Sequence, residues 1–279
     1  MEPKLFEECL QKLSNKAQVL SSIETEKIEL VLQRVFPFIV SNIDWPKTKT
    51  YQPLDVDRPD QIVSVLGKLL HKTTFDKAIY IIWDSNNPAI KTDLDTAITC
   101  FDDITSIGTR TWLFNPDIGF VVEWHWCGQK TIGIAHSERV SLGKMLYECL
   151  ASLGNECNIL SVDQSKQVFK ALKNKFGFKH LLVDWNIITS QQIVNYPADI
   201  ITQLQQLVPG LIKPIYLMWH EVEHLPLIET NLNLAIENWN KIMSAAHLMY
   251  ICDQNFQYII ELRGEQLLIG TPPHRHQVR

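Results

Sequence analysis

The first twenty residues carry apolar side chains at three- or four-residue steps, at Leu5, Cys9, Leu13, Ala17 and Leu20. Residues at these steps share one face of a helix, so the spacing predicts an amphipathic helix. Ser21 follows, with a glutamate three positions later, which is the pattern of a capping box. The sequence therefore predicts a second helix from Ser21 to about Phe36.

Further apolar patterns predict a third helix near Pro59 and then a set of strands. Residues 79–83 are apolar throughout and have the length of a central strand, and residues 112–114 predict a shorter one. Two apolar runs joined by a turn predict a hairpin over residues 120–134. Thr92 is expected to cap a helix between these strands. The apolar face of that helix consists of Leu94, Ala97, Ile98, Phe101 and Ile104.

The same pattern occurs twice along the chain. Residues 88–108 return as residues 226–246 with eight of 21 positions identical, where chance would give roughly one or two. The other aligned pairs are residues 4–21 with 144–161, residues 79–83 with 215–219, Glu123 with Glu261, and Ile132-Gly133 with Ile269-Gly270. A repeat of this length indicates a duplicated structural unit.

The duplication sets the predicted fold class, which is α+β. We predict two tandem repeats of one helix-rich module, at residues 1–138 and 139–279, each with its helices packed on a mostly antiparallel sheet. No flexible linker separates them, so the two copies are expected to pack together as a pseudo-dimer within one monomeric chain. The composition, 46% apolar and 20% charged, is that of a globular protein with a sizeable core.

Charge distinguishes the two copies. Residues 1–138 contain 19 acidic and 14 basic residues, a net charge of −5, whereas residues 139–279 contain 12 of each and are neutral. This balance argues against nucleic acid as a partner, because phosphate binding requires an excess of basic residues. An acidic first copy suits a basic protein partner instead.

Cysteine usage and the N-terminus predict the compartment. The six cysteines include no C-x-x-C pair and no small disulfide framework, so free thiols in a reducing compartment are expected. The first residues lack the basic and apolar regions of a signal peptide, and no apolar run approaches the ~20 residues of a membrane helix. We therefore expect a cytoplasmic protein that makes no contact with a membrane.

One short motif points to metal chemistry. His220, Glu221 and His224 match the H-E-x-x-H pattern of zinc peptidases, in which both histidines share a helical face and the glutamate polarises a metal-bound water. Here the motif directly follows a predicted strand, and the first copy has no histidine at the matching positions. A metal-dependent hydrolase is thus the alternative interpretation. The main expectation is a binding protein without catalytic residues, metal or cofactor.

Acidic and aromatic side chains around the strands of the first copy are the candidate binding residues. Several of them change in the second copy, where Asp84 becomes His220 and Asp102-Asp103 becomes Asn240-Lys241. A cluster of acids is often only solvated surface, whereas tryptophans beside it can supply apolar anchors for a protein partner. The candidates are Asp84, Asp93, Asp95, Asp102, Asp103, Asp117, Glu123, Trp124, His125 and Trp126.

The same stretch resembles a known family. Residues 80–84, 91–94, 102–104, 111–116 and 120–125 are similar to cytoplasmic immunity proteins of bacterial toxin systems, including those of contact-dependent growth inhibition. The resemblance implies stoichiometric inhibition of a cognate toxin domain, often a nuclease, whose basic phosphate-binding face an acidic inhibitor can occlude. Typical members are single small domains, so either copy is a candidate for the binding module. A non-catalytic scaffold or regulator is the remaining interpretation.

Overall fold

The computed structural model describes residues 3–54, 59–179, 182–208, 210–211, 214–219, 227–245, 248–264 and 266–273. The chain divides into two compact units, Met1–Tyr147 and Glu148–Arg279, which we call unit one and unit two. Each unit contains helices and one large antiparallel sheet.

Ten α-helices lie within the described residues. The helices that begin in unit one are α1 (Pro3–Leu13), α2 (Ser22–Val35), α3 (Gln61–Leu70), α4 (Leu94–Thr99), α5 (Phe101–Thr105) and α6 (Ser137–Ser152). The helices of unit two are α7 (Val162–Phe176), α8 (Ile200–Leu207), α9 (Leu232–Glu237) and α10 (Trp239–Ser244). The division between the units falls within α6.

Eighteen short strands accompany these helices in the described part of the chain. The strands of unit one are β1 (Gln18–Val19), β2 (Phe38–Ile39), β3 (Asn42–Ile43), β4 (Thr50–Pro53), β5 (Ala78–Trp83), β6 (Ile90–Asp93), β7 (Arg110–Asn115), β8 (Phe120–His125) and β9 (Lys130–Ile134). The strands of unit two are β10 (Asn158–Ile159), β11 (Phe178–Lys179), β12 (Leu182–Val183), β13 (Thr189–Val194), β14 (Pro214–Trp219), β15 (Ile228–Asn231), β16 (Leu248–Asp253), β17 (Ile259–Arg263) and β18 (Gln266–Thr271).

The two large sheets have seven strands each, in the same order. The order is β1-β6-β5-β7-β8-β9-β4 in unit one and β10-β15-β14-β16-β17-β18-β13 in unit two. All pairings within them are antiparallel. A two-stranded ribbon accompanies each sheet, β2–β3 in one unit and β11–β12 in the other. The predicted fold class is therefore confirmed: an α+β module is duplicated within one chain.

Alternate residues of β5 face two separate hydrophobic cores of unit one. Ile79, Ile81 and Trp83 pack with the buried residues of α1, α3, α4 and α5. Tyr80 and Ile82 pack with α2 on the other side of the sheet. Because both faces of the sheet are covered, this central strand is apolar throughout and shows no alternation with polar residues.

The capping box predicted at Ser21 is present, and its counterpart occurs in unit two. At the start of α2, the Ser21 hydroxyl accepts a hydrogen bond from the backbone N–H of Glu24 at 3.2 Å, and the Glu24 carboxylate accepts one from the Ser21 N–H at 2.9 Å. Ser161 and Gln164 form the same reciprocal pair at the start of α7. Each box satisfies two backbone donors that the first helical turn would otherwise leave without partners.

The first helix is shorter than its apolar spacing predicts. It ends at Leu13, because Ser14 adopts a left-handed conformation with φ of 55° and a short 3₁₀ turn follows. The residues after this turn form β1, which pairs with β6 at the edge of the sheet. Leu20 therefore packs with α2 and not with the first helix.

The predicted helix cap at Thr92 is also wrong. Thr92 lies in β6, and the N-cap residue of α4 is Asp93, whose carboxylate accepts a hydrogen bond from the Thr96 N–H. The helix beyond it is interrupted at Cys100 and continues as α5. Its predicted apolar face is nevertheless buried or half-buried against the sheet.

The six cysteines are free, and only Cys127 is exposed. Burial raises the pKa of Cys9, and of its counterpart Cys149, to about 12, so these thiols are packing residues without thiolate reactivity. Within the described residues, no helix combines the length and the apolar composition that a membrane crossing requires.

Candidate functional site

The predicted binding residues of unit one are divided between the two ends of its sheet. β8 runs antiparallel to β7 and ends at His125 beside Arg110. Asp84, at the end of β5, lies at this same end, which we call the tip end because the β8–β9 turn forms it. Asp93 and Asp117 lie at the opposite end, close to Ala78 and to the β7–β8 turn respectively.

Three of the predicted acids are engaged by groups of their own unit. Asp93 accepts hydrogen bonds from the hydroxyl and the N–H of Thr96, at 2.6 and 2.8 Å, and these bonds lower the pKa of its carboxyl group. Asp95 and Asp103 form ion pairs with lysines, with N–O distances of 2.7 and 2.6 Å. The Asp93 carboxylate therefore caps α4, and the carboxylates of Asp95 and Asp103 form surface ion pairs with Lys77 and Lys12.

The remaining aspartates differ in how they are held. Asp84 accepts hydrogen bonds from the Thr109 hydroxyl and, at 2.9 Å, from the Arg110 N–H, so it fixes the start of β7. Asp102 and Asp117 are exposed, and no residue in the described ranges forms a hydrogen bond or ion pair with either carboxylate. Asp102 and Asp117 are therefore the two candidate acids whose carboxylates are not engaged within the described part of unit one.

Glu123 lies in the interior of unit one and not on its surface. It is 9% exposed, and its two carboxylate oxygens accept hydrogen bonds from the indole N–H groups of Trp45 and Trp112, both at 2.9 Å. Glu261 has the same place in unit two and accepts from the indole of Trp185. Trp45 and Trp185 each follow an aspartate, and we call the pairs Asp44-Trp45 and Asp184-Trp185 the Asp-Trp corner of each unit. The glutamate shared by both copies thus joins a central strand to this corner, and it presents no charge to a partner at the surface.

The β8–β9 turn carries three aromatic or heterocyclic side chains in a row. The Trp124 ring packs edge-on against Phe101, with centroids 4.8 Å apart, and holds the Lys130 ammonium 3.9 Å from its own centroid. His125 contacts the exposed Cys127 thiol, with Nδ1 and Sγ 3.0 Å apart. Trp126 is 70% exposed. Such exposure is unusual, because tryptophan side chains are on average highly buried.

A second hairpin, β2–β3, meets the same end of the sheet. Arg110 donates hydrogen bonds to the Ser41 hydroxyl and carbonyl, at 2.6 and 3.1 Å, while the Trp126 N–H donates to the carbonyl of Thr109. The turn of this hairpin exposes Ile39 by 57% and Val40 by 97%. Val40 also has φ of 58°, a left-handed conformation that is strained for a β-branched residue.

We call Ile39, Val40 and Trp126 the tip surface. Both hairpins of this surface are tied to the first residues of β7, so the three apolar side chains belong to one end of unit one. The sequence made Trp126 a candidate but not Ile39 or Val40, because two apolar residues in a short turn give no periodic signal. The only sequence sign was an apolar run from Phe36 to Val40 too short and too interrupted for a buried strand.

Beside the tip surface, unit one contains a cavity of about 310 Å³. Its walls are mainly apolar, and one carboxylate and one ammonium group line it as well. The lining residues are Leu54, Pro59, Ile62, Phe101, Asp102, Val122, Trp124, Gly128 and Lys130. The arrangement can receive a side chain of a protein partner, and it brings Asp102 together with Trp124.

Comparison with known protein families gives a match to both halves of the chain. The family is described as CdiI immunity protein EcoliA0-like, and it matches residues 3–133 and residues 143–270. The chain belongs to the CdiI immunity protein family. No curated protein matches it. The resemblance seen in the sequence is confirmed, and the two matched segments agree with the internal duplication.

Membership of the CdiI family makes this chain an immunity protein, whose partner is a cognate toxin. The two units of this CdiI protein differ at the tip end. The position of Trp126 is occupied by Gly264, that of Ile39 by Lys179 and that of Trp124 by Leu262. Unit two therefore keeps the fold of the family without the aromatic turn of unit one.

The metal alternative for this CdiI protein stays a prediction, because the residues that define it are not among those that the structure describes. His220, Glu221 and His224 lie outside the described residues. Among the residues that are described, no three histidine, cysteine, aspartate or glutamate side chains come together in a group that could hold a metal ion.

Proposed function

We propose that this immunity protein neutralises its cognate toxin by binding it with the tip end of unit one. The observation that carries the proposal is the exposure of Trp126, which is 70% accessible at a turn that the second copy builds with glycine. Exposed apolar groups in one patch mark sites of protein association, because their burial removes them from water. Tryptophan is also among the residues that contribute most to interface affinity.

The polar groups at the tip end would orient the bound toxin and make the contact selective for it. Asp84 and Arg110 are held by hydrogen bonds to Thr109 and Ser41, so they add fixed charges of both signs between the two hairpins. Preorganised charges of this kind lose little entropy when a partner binds. The tip surface supplies the apolar centre, and these residues supply its polar rim.

The charge of the first copy indicates the kind of toxin. Residues 1–138 have a net charge of −5, with Asp102 and Asp117 exposed, whereas residues 139–279 are neutral. A negative inhibitor attracts a basic toxin over a distance comparable with the Debye length, about 10 Å at 0.1 M salt, and so speeds their encounter. A nuclease fits this requirement because it must bind phosphate. Inhibition then follows from occlusion of its basic face.

Replacement of Trp126 tests the proposal. The probe is the cognate toxin domain, titrated calorimetrically with the full-length protein. Trp126→Ala should weaken binding by about thirtyfold or more, since central aromatic anchors contribute 2 kcal/mol or more. The same variant should fail to protect cells that express the toxin.

Tyr196→Ala is the matched control, because Tyr196 is 68% exposed but belongs to unit two. It should bind the toxin within twofold of the wild-type protein. Unchanged binding by Trp126→Ala, or an equal loss in both variants, would contradict a site at the tip end of unit one.

A further inference from the structure

We infer that the cavity beside the tip surface receives an arginine side chain of the toxin. The inference rests on the proposed function, because the arginine would come from the toxin bound at the tip end of unit one. It adds a second contact next to the tip surface, in which a guanidinium group binds Asp102 and its alkyl stem lies along Phe101 and Trp124.

The size and walls of the cavity suit one long side chain. Its volume of about 310 Å³ lies at the lower limit of small-ligand pockets, which span roughly 300 to 1,000 Å³. Leu54, Ile62 and Val122 form an aliphatic wall, and Phe101 and Trp124 form an aromatic one. The three methylene groups of arginine can be buried against these walls while the charged end reaches the rim.

Asp102 gives the cavity its preference for a cation. Its carboxylate is exposed at the rim and has no hydrogen-bond or ion-pair partner among the residues that the structure describes. The neighbouring Asp103 is already paired with Lys12. A guanidinium can form two parallel hydrogen bonds with a carboxylate, and the bidentate geometry makes this pair stronger than a single contact.

Trp124 supplies the second attraction. In the structure its ring already holds a cation, since the Lys130 ammonium lies 3.9 Å from the ring centroid. Its edge-on contact with Phe101 fixes the orientation of the ring. Guanidinium is planar and less strongly hydrated than ammonium, so it stacks on such a ring more readily than lysine does. The like charge of Lys130 opposes this binding, and its removal should therefore strengthen it.

Unit two provides an internal comparison. A cavity of about 390 Å³ occurs there beside Pro197 and Trp239, the counterparts of Pro59 and Phe101. Asn240 replaces Asp102, and Leu262 replaces Trp124. The unit-two cavity has a carboxylate and an indole of its own, Glu237 and Trp239, but not at the positions of Asp102 and Trp124. The pairing inferred for unit one therefore has no residue-by-residue counterpart in unit two.

The first test uses small probes and no toxin. The full-length chain is labelled with 5-fluorotryptophan, the Trp124 signal is assigned with Trp124→Phe, and N-acetylarginine amide is titrated against N-acetylcitrulline amide, its uncharged analogue. Only the arginine compound should shift the Trp124 fluorine signal saturably, and Asp102→Asn should abolish the shift. Equal shifts from both compounds, or no shift from either, would overturn the inference.

The second test measures toxin affinity. Asp102→Asn should weaken binding by about tenfold, because it removes one half of a charged hydrogen-bonded pair. Asp117→Asn removes the same charge from an exposed site at the opposite end of the sheet and should change affinity by less than twofold. Lys130→Met should bind more tightly than the wild-type protein. Equal effects of the two aspartate variants would mean that only the overall charge matters and would overturn the cavity assignment.

Trp126→Ala separates this inference from the proposed function. A loss of affinity in Trp126→Ala with none in Asp102→Asn would leave the tip end as the binding site and reject the arginine contact. Unchanged affinity in both variants would reject both proposals.

Discussion

At the scale of single residues, Glu123 was predicted to bind a partner at the surface, but in the structure its carboxylate is buried and accepts hydrogen bonds from two tryptophans. In the sequence it is an acid beside two tryptophans and a histidine, which suggested a binding residue. The alternation of β8 turns its carboxylate towards the face that α2 covers, where Trp45 and Trp112 donate to it. Burial of a carboxylate is tolerated because both oxygens have donors. Its role in binding stays a prediction, which the geometry does not favour.

The buried carboxylate is expected to stabilise unit one. Glu123→Gln replaces one acceptor oxygen by an NH₂ group that faces an indole donor, so the variant should lose about 1 to 3 kcal/mol of unfolding free energy. Asp117→Asn, at an exposed position, should change it by less than about 0.5 kcal/mol. Urea unfolding followed by tryptophan fluorescence measures both, and an unchanged midpoint for Glu123→Gln would show that the indole contacts contribute nothing.

The Asp93 cap predicts a pH-dependent contribution. Hydrogen bonds from Thr96 lower the pKa of Asp93 below its ordinary value of 3.8. The stability that it provides is therefore fully present above pH 3.8 and is lost as the pH falls through the lower folded-state pKa. Asp93→Ala should cost about 1 kcal/mol at neutral pH, and the difference from wild type should shrink below pH 3.8.

Asp95→Ala is the control for the cap, because Asp95 is 59% exposed in its pair with Lys77. Its loss should stay below about 1 kcal/mol, as is usual for surface ion pairs. A difference between Asp93→Ala and wild type that persists unchanged at low pH would exclude the ionised cap as its source.

At the scale of elements, long periodic segments were predictable and short ones were not. The capping boxes, the central strand and the β8–β9 hairpin follow from spacing, because each combines an apolar pattern with a turn or cap signal. β1 has only two residues, and most of β6 lies in the polar sequence Lys91-Thr92-Asp93, so neither has a strand signal of its own. Pairing with β5 decides the conformation of β6, and this is tertiary information.

The repeated Ile-Gly pair has an explanation at this scale. Gly133 in β9 passes directly beneath the Trp45 ring, and Gly270 in β18 passes beneath Trp185. A side chain at either position would occupy the space of the indole. The glycine thus allows the Asp-Trp corner to lie on the sheet and reach the buried glutamate, in both units.

Gly133→Ala is therefore expected to destabilise unit one. The added methyl group meets the Trp45 ring, and overpacking of this kind costs about 1 to 3 kcal/mol. The double variant Gly133→Ala/Trp45→Leu should lose less than the sum of the two single losses, because the smaller side chain relieves the clash. Strict additivity in urea unfolding would mean that the glycine and the indole do not interact.

At the scale of the whole molecule, duplication has produced two units with one fold and different surfaces. The strand order is identical, and the buried glutamate, its tryptophan and the facing glycine occur in both. The net charge, the aromatic turn and the exposed Ile39 and Val40 distinguish the first. The sequence comparison of the two copies predicted the acidic difference. It did not predict the tip surface, which depends on where two hairpins meet.

Hydrogen–deuterium exchange of the full-length protein, with and without the cognate toxin domain, tests the location of the binding site most directly. Bound toxin should slow amide exchange in residues 38–43, 109–112 and 124–130 of unit one and leave residues 259–264 of unit two unchanged. Slower exchange at the equivalent turn of unit two, with none at the tip end of unit one, would contradict the assignment of toxin binding to the first unit.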